Sequence, residues 1–227
     1  MKSDADLTWI DDNAPYSKRF EDRYFSAHDG GEEAVAVFVK GNGMPERWHD
    51  ADLFQIAELG FGTGLNFFAT LAAWYNFAPE TASLAYSAFE AYPLETDDMR
   101  RALKPWPELL PLAEPWLEIW PRLLHEPVLI GPVELELVIG DARSTLPRWS
   151  NFADAWYLDG FSPAKNPQLW ELDLMHAVFD HTMPGGTFST YSAAGFVRRN
   201  LQQAGFDVRR VQGFGGKRER LQGQRVR

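Results

Sequence analysis

Apolar positions recur along the chain with two periods. LFQIAEL (53–59), SLAYSAFE (83–90), VELELVIG (133–140), ADAWYLDG (153–160) and GGTFSTYS (185–192) are short apolar or alternating runs of strand length, and GFDVRRVQ (205–212) is a further candidate. Between them Leu65, Phe68, Ala69, Leu71, Ala72 and Tyr75 fall on one helical face, and helical patterns begin near Glu95 and cover 168–182 and 194–204. Strand and helix alternating in this way predict an α/β fold with a mostly parallel sheet covered on both faces. Upstream, YFSAHDGGEEAVAVFVKGN (24–42) reads as a β-hairpin turning at Gly30 and Gly31. This places a hairpin-bearing N-terminal extension at 1–50 and the main domain at 51–227. Within the latter, 104–132 reads as a helical insertion rich in proline and tryptophan, broken at Pro107, Pro111, Pro115 and Pro121. No internal repeat and no low-complexity linker interrupts the pattern.

Composition narrows the chemistry. The chain has 227 residues, 45% of them hydrophobic and 14% aromatic, enough to bury a sizeable core. No apolar run reaches the roughly 18 to 20 residues that span a membrane, and MKSDADLTWIDD lacks the basic start and apolar stretch of a signal peptide, so a soluble, cytoplasmic protein is expected. The absence of cysteine excludes disulfides, thiolate metal sites and cysteine nucleophiles, and the five histidines show no metal-ligand spacing, so no metal is expected. The formal net charge of −10 would repel a polyanion on average. It is unevenly placed, however: Arg198, Arg199, Arg209, Arg210, Lys217, Arg218, Arg220, Arg225 and Arg227 face only Asp207 and Glu219 in the last stretch. A basic face on an acidic body can steer an anionic substrate, and a solvated terminus has the same composition.

Ligands of such sheets sit at the carboxyl ends of the strands. Four predicted exits carry polar residues: Glu58 to Asn66, Glu90, Gly140 with Asp141, and Asp159 with Gly160. In IAELGFGTGLNF (56–67) the glycines Gly60, Gly62 and Gly64 are spaced G-x-G-x-G. A dinucleotide fingerprint needs G-x-G-x-x-G, and a P-loop needs a lysine that is not there. A ligand without phosphates suits the loop better, one whose polar groups are an amino acid and a ribose. Glu58 stands where it could attract a positively charged amino group, Glu90 where it could accept from both ribose hydroxyls, and Asp141 with the Ala142 N–H where they could read an adenine edge. That ligand is S-adenosyl-L-methionine. An NAD-dependent oxidoreductase on a similar sheet, and a non-catalytic tRNA- or protein-binding domain that retains the fold, are the alternatives.

The stretches AELGFGTGLNF (57–67), GDARSTLP (140–147), YLDGFSPAKNPQLW (157–170), STYSAAGFVRRNLQQAGF (189–206) and GFGGKRER (213–220) together resemble the methyltransferase domain of the bifunctional tRNA 5-methylaminomethyl-2-thiouridine biosynthesis (MnmC) family, over nearly the whole chain. The resemblance implies a class I, Rossmann-like fold with a mostly parallel seven-stranded sheet. It also implies S-adenosylmethionine-dependent N-methylation of the 5-aminomethyl group of the wobble (2-thio)uridine, with the tRNA anticodon stem-loop as partner. Two-domain members of the family continue into an FAD-dependent oxidase. These 227 residues hold no second Gly-rich unit, and both a stand-alone methyltransferase and a fragment of a bifunctional protein agree with that. A stand-alone enzyme would depend on other enzymes to supply the aminomethyluridine.

Transfer of a methyl group from a sulfonium to a primary amine is an in-line displacement that needs a neutral nitrogen lone pair aimed at the carbon. Asp159, in the exit Asp159-Gly160-Phe161-Ser162-Pro163, is the expected catalytic residue: it would orient the nucleophile and accept its proton, with a hydrogen bond to the cofactor's amino group as the competing role. Phe161 could stack on the uracil ring or pack under the loop with Trp170. Lys165 and Asn166 suit phosphate or sugar contacts, Arg198, Arg199, Lys217 and Arg218 form an electrostatic track for the stem-loop, and Tyr24 and Tyr191 are candidate pocket residues.

Overall fold

The computed structural model describes residues 5–10, 14–26 and 30–226. The chain opens with a small antiparallel sheet, β1 (Leu7–Ile10), β2 (Ala14–Ser17) and β3 (Asp22–Arg23), paired in that order with Leu7 opposite Ser17. An N-terminal hairpin is therefore present, but it lies upstream of the one expected at 24–42. From Gly30 that segment is helical: α1 (Gly30–Glu33) runs into a π-helical turn at Ala34–Val39 and a 3-10 turn at Lys40–Asn42, residues 27–29 lying outside the described set. The glycine pair makes no turn. A Cβ on Gly31 would come within 2.5 Å of the Trp106 indole nitrogen, so glycine lets an aromatic ring lie against the helix backbone. The β-branched run after it favours a strand in isolation, yet burying Ala34, Val37, Phe38 and Val39 in the main core outweighs that preference.

The main sheet is built from β4 (Leu53–Leu59), β5 (Ser83–Glu90), β6 (Val128–Ile130), β7 (Val133–Ile139), β8 (Ala153–Leu158), β9 (Thr182–Thr190), β10 (Phe206–Gln212) and β11 (Glu219–Arg225). Their spatial order is β10-β11-β9-β8-β4-β5-β7-β6. β4 pairs in parallel with β5 and β8, and parallel pairing continues to β7 on one side and β9 on the other. β11 is antiparallel to both β9 and β10, and the short β6 adds an antiparallel edge to the seven strands expected. The chain leaves β4 for β5 and returns to the other side of β4 at β8. The strand order reverses there, so the crevice beyond the carboxyl ends of β4 and β8 is the natural ligand site.

The helices in chain order are α2 (Leu65–Phe77), α3 (Thr96–Leu103), α4 (Leu110–Glu118), α5 (Trp120–Leu123), α6 (Ala142–Thr145), α7 (Leu172–Asp180) and α8 (Gly195–Ala204). Successive strand residues face opposite ways: Ile56, Tyr86 and Tyr157 join Phe67, Met99, Trp116 and Trp120 on one face, while Ala57, Leu59, Phe89 and Trp156 join Ala142, Leu174 and Val197 on the other. Val37, Phe38 and Trp48 of the first fifty residues belong to the first of these clusters. In the insertion, α4 runs through Pro115, where a break was expected, because Ala113, Trp116 and Leu117 on one side of it are buried; the chain breaks instead at Ile119. No described helix is long and apolar enough to cross a membrane.

Candidate functional site

The carboxyl ends of β4, β5, β7 and β8 open into a cavity of about 660 Å³, within the range typical of small-molecule sites. Its floor includes Gly60, Gly62, Asn66, Glu90, Asp141, Ala142, Asp159 and Gly160. Its roof comes from the N-terminal sheet and the turn after it, with Arg19, Phe20, Asp22, Arg23, Tyr24 and Phe25. Lys217, from the turn between β10 and β11, closes one side.

The glycine loop is fastened to the neighbouring strand exits. Gly62 N–H donates to Glu90 Oε2 at 2.9 Å, and Tyr92 N–H to Glu90 Oε1 at 2.7 Å. Each of these oxygens keeps a lone pair, so Glu90 can still accept from ribose hydroxyls. Gly60 has φ +88°, and a Cβ there would stand 3.1 Å from the Asp159 carbonyl oxygen. Glycine at this position lets the exits of β4 and β8 touch. Asp141 caps α6 by accepting from the Arg143 N–H at 2.9 Å, and its carboxylate is ion-paired with the Arg143 guanidinium, which holds its carboxyl below the usual range.

Asp159 is the chemically distinctive group. Its Oδ1 accepts from Gly160 N–H at 2.9 Å and its Oδ2 from Asn66 Nδ2 at 2.7 Å. Burial, with a smaller contribution from the charge of Glu33, pushes its carboxyl up to about 7, against the opposing hydrogen bond from Asn66. A carboxylate that titrates near neutrality in a cavity can take up and release a proton at working pH. Glu58 is differently placed from the sequence expectation. It is fully buried and does not line the cavity: Oε1 accepts from Asn66 Nδ2 at 2.8 Å and Oε2 from the Tyr86 hydroxyl at 2.9 Å. Gly64 likewise lies behind the wall, as the N-cap of α2.

The aromatic residues form one group above Asp159. Phe161 stacks on Phe20 with ring centroids 4.6 Å apart, and Tyr24 meets Phe161 edge-on at 5.1 Å. The Tyr191 hydroxyl donates to the Gly160 carbonyl at 2.6 Å, and Lys217 lies over the Tyr191 ring while pairing with Glu33. Asp22 ties the roof to the substrate-side loop, accepting from Ser162 N–H at 2.9 Å and from Lys165 Nζ at 3.2 Å. We expect Asp22→Ala to release this loop, lowering stability by about 1 kcal/mol and raising KM for a substrate bound in the cavity several-fold with a smaller change in kcat. Thermal melts and steady-state kinetics read the two effects.

Of the expected contacts, Tyr24, Phe161, Asn166 and Lys217 line the cavity, while Lys165 reaches its roof through Asp22. Arg198 and Arg199 on α8 and the exposed Arg218 are not in its wall. Much of the basic tail is engaged within the fold. Arg220 donates to Ser189 Oγ, Arg225 to the carbonyls of Phe179, Asp180 and Thr182, and Arg209 and Arg210 pair with Asp207 and Glu219. The roof residues Arg19, Phe20, Asp22 and Arg23 escaped the sequence reading. The only local sign of them is the interleaving of aromatic and charged residues in RFEDRYF (19–25). Among the described residues no three His, Asp or Glu side chains are grouped as metal ligands.

A family model described as S-adenosyl-L-methionine-dependent methyltransferase matches residues 107–226. The tRNA 5-methylaminomethyl-2-thiouridine biosynthesis bifunctional protein MnmC of Aeromonas hydrophila is 44% identical, covering 98% of this chain and 35% of that protein. The protein of the same name from Caulobacter vibrioides is 43% identical, covering 96% of this chain and 38% of its own length. The chain thus spans little more than a third of these relatives. Among solved structures, MNMC2 from Aquifex aeolicus superposes with a TM-score of 0.79 at 26% identity, covering 96% of this chain and 69% of that one.

Proposed function

The chain belongs to the S-adenosyl-L-methionine-dependent methyltransferases, and on that premise we propose that it N-methylates the 5-aminomethyl group of the wobble (2-thio)uridine of tRNA, giving 5-methylaminomethyl-(2-thio)uridine. The observation that carries this reading is the position of Asp159 in one cavity with the glycine loop on one side and Phe161 and Tyr24 on the other, in a chain similar to MnmC proteins along nearly its full length.

The donor set fits the cofactor. Glu90 has acceptor capacity left for the ribose hydroxyls, and Asp141 with the Ala142 N–H offers an acceptor and a donor to adenine once Arg143 shares or yields its hold. The amino-terminal N–H groups of α2, capped by Gly64 without a side-chain acceptor, suit a carboxylate. When bound, S-adenosyl-L-methionine supplies an electrophilic methyl group on its sulfonium. The chain's own part is positional and protolytic. Phe161 and Tyr24 hold the base against an aromatic wall, and Asp159 takes the proton that the amine must lose for its lone pair to be free.

Arg19, Arg23, Lys165 and Lys217 stand around the mouth and suit phosphate contacts better than Arg198 and Arg199, which lie away from it. The reaction that precedes this one must leave a primary amine on the base. Two anticodon stem-loops identical but for the wobble base, aminomethyluridine or uridine, test the reading. Mass analysis of the digested nucleosides should show one added methyl on the aminomethyl nitrogen of the first and none on the second. Methylation of both, or of a ribose, would overturn it.

A further inference from the structure

Glu58 and Asp159 are bridged by a single amide. Both hydrogens of Asn66 Nδ2 are used, one toward Glu58 Oε1 at 2.8 Å and one toward Asp159 Oδ2 at 2.7 Å. Glu58 is in turn held at its other oxygen by the Tyr86 hydroxyl at 2.9 Å. The backbone carbonyl of Asn66 accepts from Thr70 Oγ1 at 2.7 Å, and that hydroxyl is shared with Tyr157 at 3.0 Å. Every member of this chain except Asn66 and Asp159 lies behind the cavity wall. We infer that Glu58 is not a cofactor ligand but a positioning residue, which fixes the Asn66 amide so that Asn66 holds Asp159 in the orientation its proton transfer needs.

This inference rests on the catalytic reading of Asp159. Three observations support it. Alternation along β4 sends Glu58 to the same face as buried Ile56, toward Tyr86 and Tyr157 and away from the crevice. Burial, reinforced by the negative charge of Asp159, holds the Glu58 carboxyl well above the usual range. Glu58 accepts from Asn66 at one oxygen and from the Tyr86 hydroxyl at the other, and a glutamine at 58 would keep an oxygen for Asn66 while its amide N–H met the Tyr86 oxygen instead. The groups that face the pair are Tyr86 and Glu90 from β5, Tyr157 from β8, Glu33 from α1, Lys217 from the β10–β11 turn, and Tyr191 after β9.

The test compares Glu58→Gln, Glu58→Ala and Asp159→Ala, reading S-adenosylmethionine affinity by calorimetry and methyl transfer across pH. Glu58→Gln should keep kcat and cofactor Kd within about 3-fold of the parent, with the pH profile unmoved. Glu58→Ala should lower kcat at least 10-fold with Kd changed less than 3-fold. It should also move the acid limb of the profile to higher pH, because the hydrogen bond from Asn66 favours the charged form of Asp159. A 10-fold or greater loss of cofactor affinity in Glu58→Gln would overturn the inference, as would an Ala variant as fast as the parent beside a slow Asp159→Ala. Should Glu58→Ala fail to fold, the Gln variant decides by itself: retained rate and affinity uphold the inference, and lost affinity refutes it. If Asp159→Ala is as fast as the parent, the catalytic reading fails first, and the experiment reports that separately.

Discussion

Asp159→Ala is expected to lower kcat for methyl transfer about 100-fold or more, the size of effect that removal of a positioned acid–base group produces, while cofactor affinity changes little. Two features of the geometry set this expectation. The carboxylate stands at the topological switch point, where β4 and β8 end together, and it is held by the Gly160 N–H and by Asn66 rather than by any cation. Lys217, paired with Glu33, opposes the upward shift of Asp159 only weakly. The same carboxylate leaves a trace in stability. Its folded-state value of about 7 lies above the unfolded one, so the folded chain binds the extra proton, and the stability this contributes is complete at low pH and lost as pH rises toward and through 7. Denaturant melts from pH 4 to 8 should show this decline in the parent and a flatter profile in Asp159→Ala. A parent profile no steeper than the variant's would mean that Asp159 is not desolvated as described.

Gly60→Ala should be the most damaging change in the glycine loop. At φ +88° an alanine is strained by about 1 to 3 kcal/mol, and its methyl group would stand 3.1 Å from the Asp159 carbonyl oxygen. Relieving that contact separates the exits of β4 and β8 and so disturbs the cofactor loop and the Asp159 backbone together. We expect Kd for S-adenosylmethionine to rise at least 10-fold and kcat/KM to fall further than Kd alone explains. Gly131→Ala is the control. Its φ is +57°, yet it sits in the β6–β7 connection with nothing nearer than the Tyr75 hydroxyl at 4.0 Å. It should cost comparable stability and leave cofactor affinity unchanged. Equal losses of affinity in both variants would show that strain alone, not the contact with Asp159, governs the site.

The strand exits were legible in the sequence because they combine two local signals, an apolar run of strand length and a glycine or acid where it ends. Asp159, Glu90 and Asp141 were found in this way, and the cavity contains all three. Glu58 shows where such reading stops. An acid at a strand end looks the same whether it faces the crevice or the sheet's covered face, and only the partners Tyr86, distant in sequence, and Asn66 decide between them. Ala34–Val39 reads as a strand by its β-branched residues, but becomes helical because Gly30 and Gly31 admit Trp106 and the sheet needs cover. Arg220 and Arg225 read as a basic surface until β11 pairs with β9 and turns them toward Ser189 and the end of α7. In each case a contact between residues far apart in the chain overrides what the local pattern favours.

The most direct measurement is transfer of labelled methyl from S-adenosylmethionine to tRNA carrying 5-aminomethyl-2-thiouridine, followed under single-turnover conditions from pH 6 to 9. The account predicts label on the aminomethyl nitrogen, at a rate that climbs through an apparent pKa near 7 in the parent and lacks that limb in Asp159→Ala. No transfer to verified substrate, or a rate in the parent that ignores pH across 7, would contradict it.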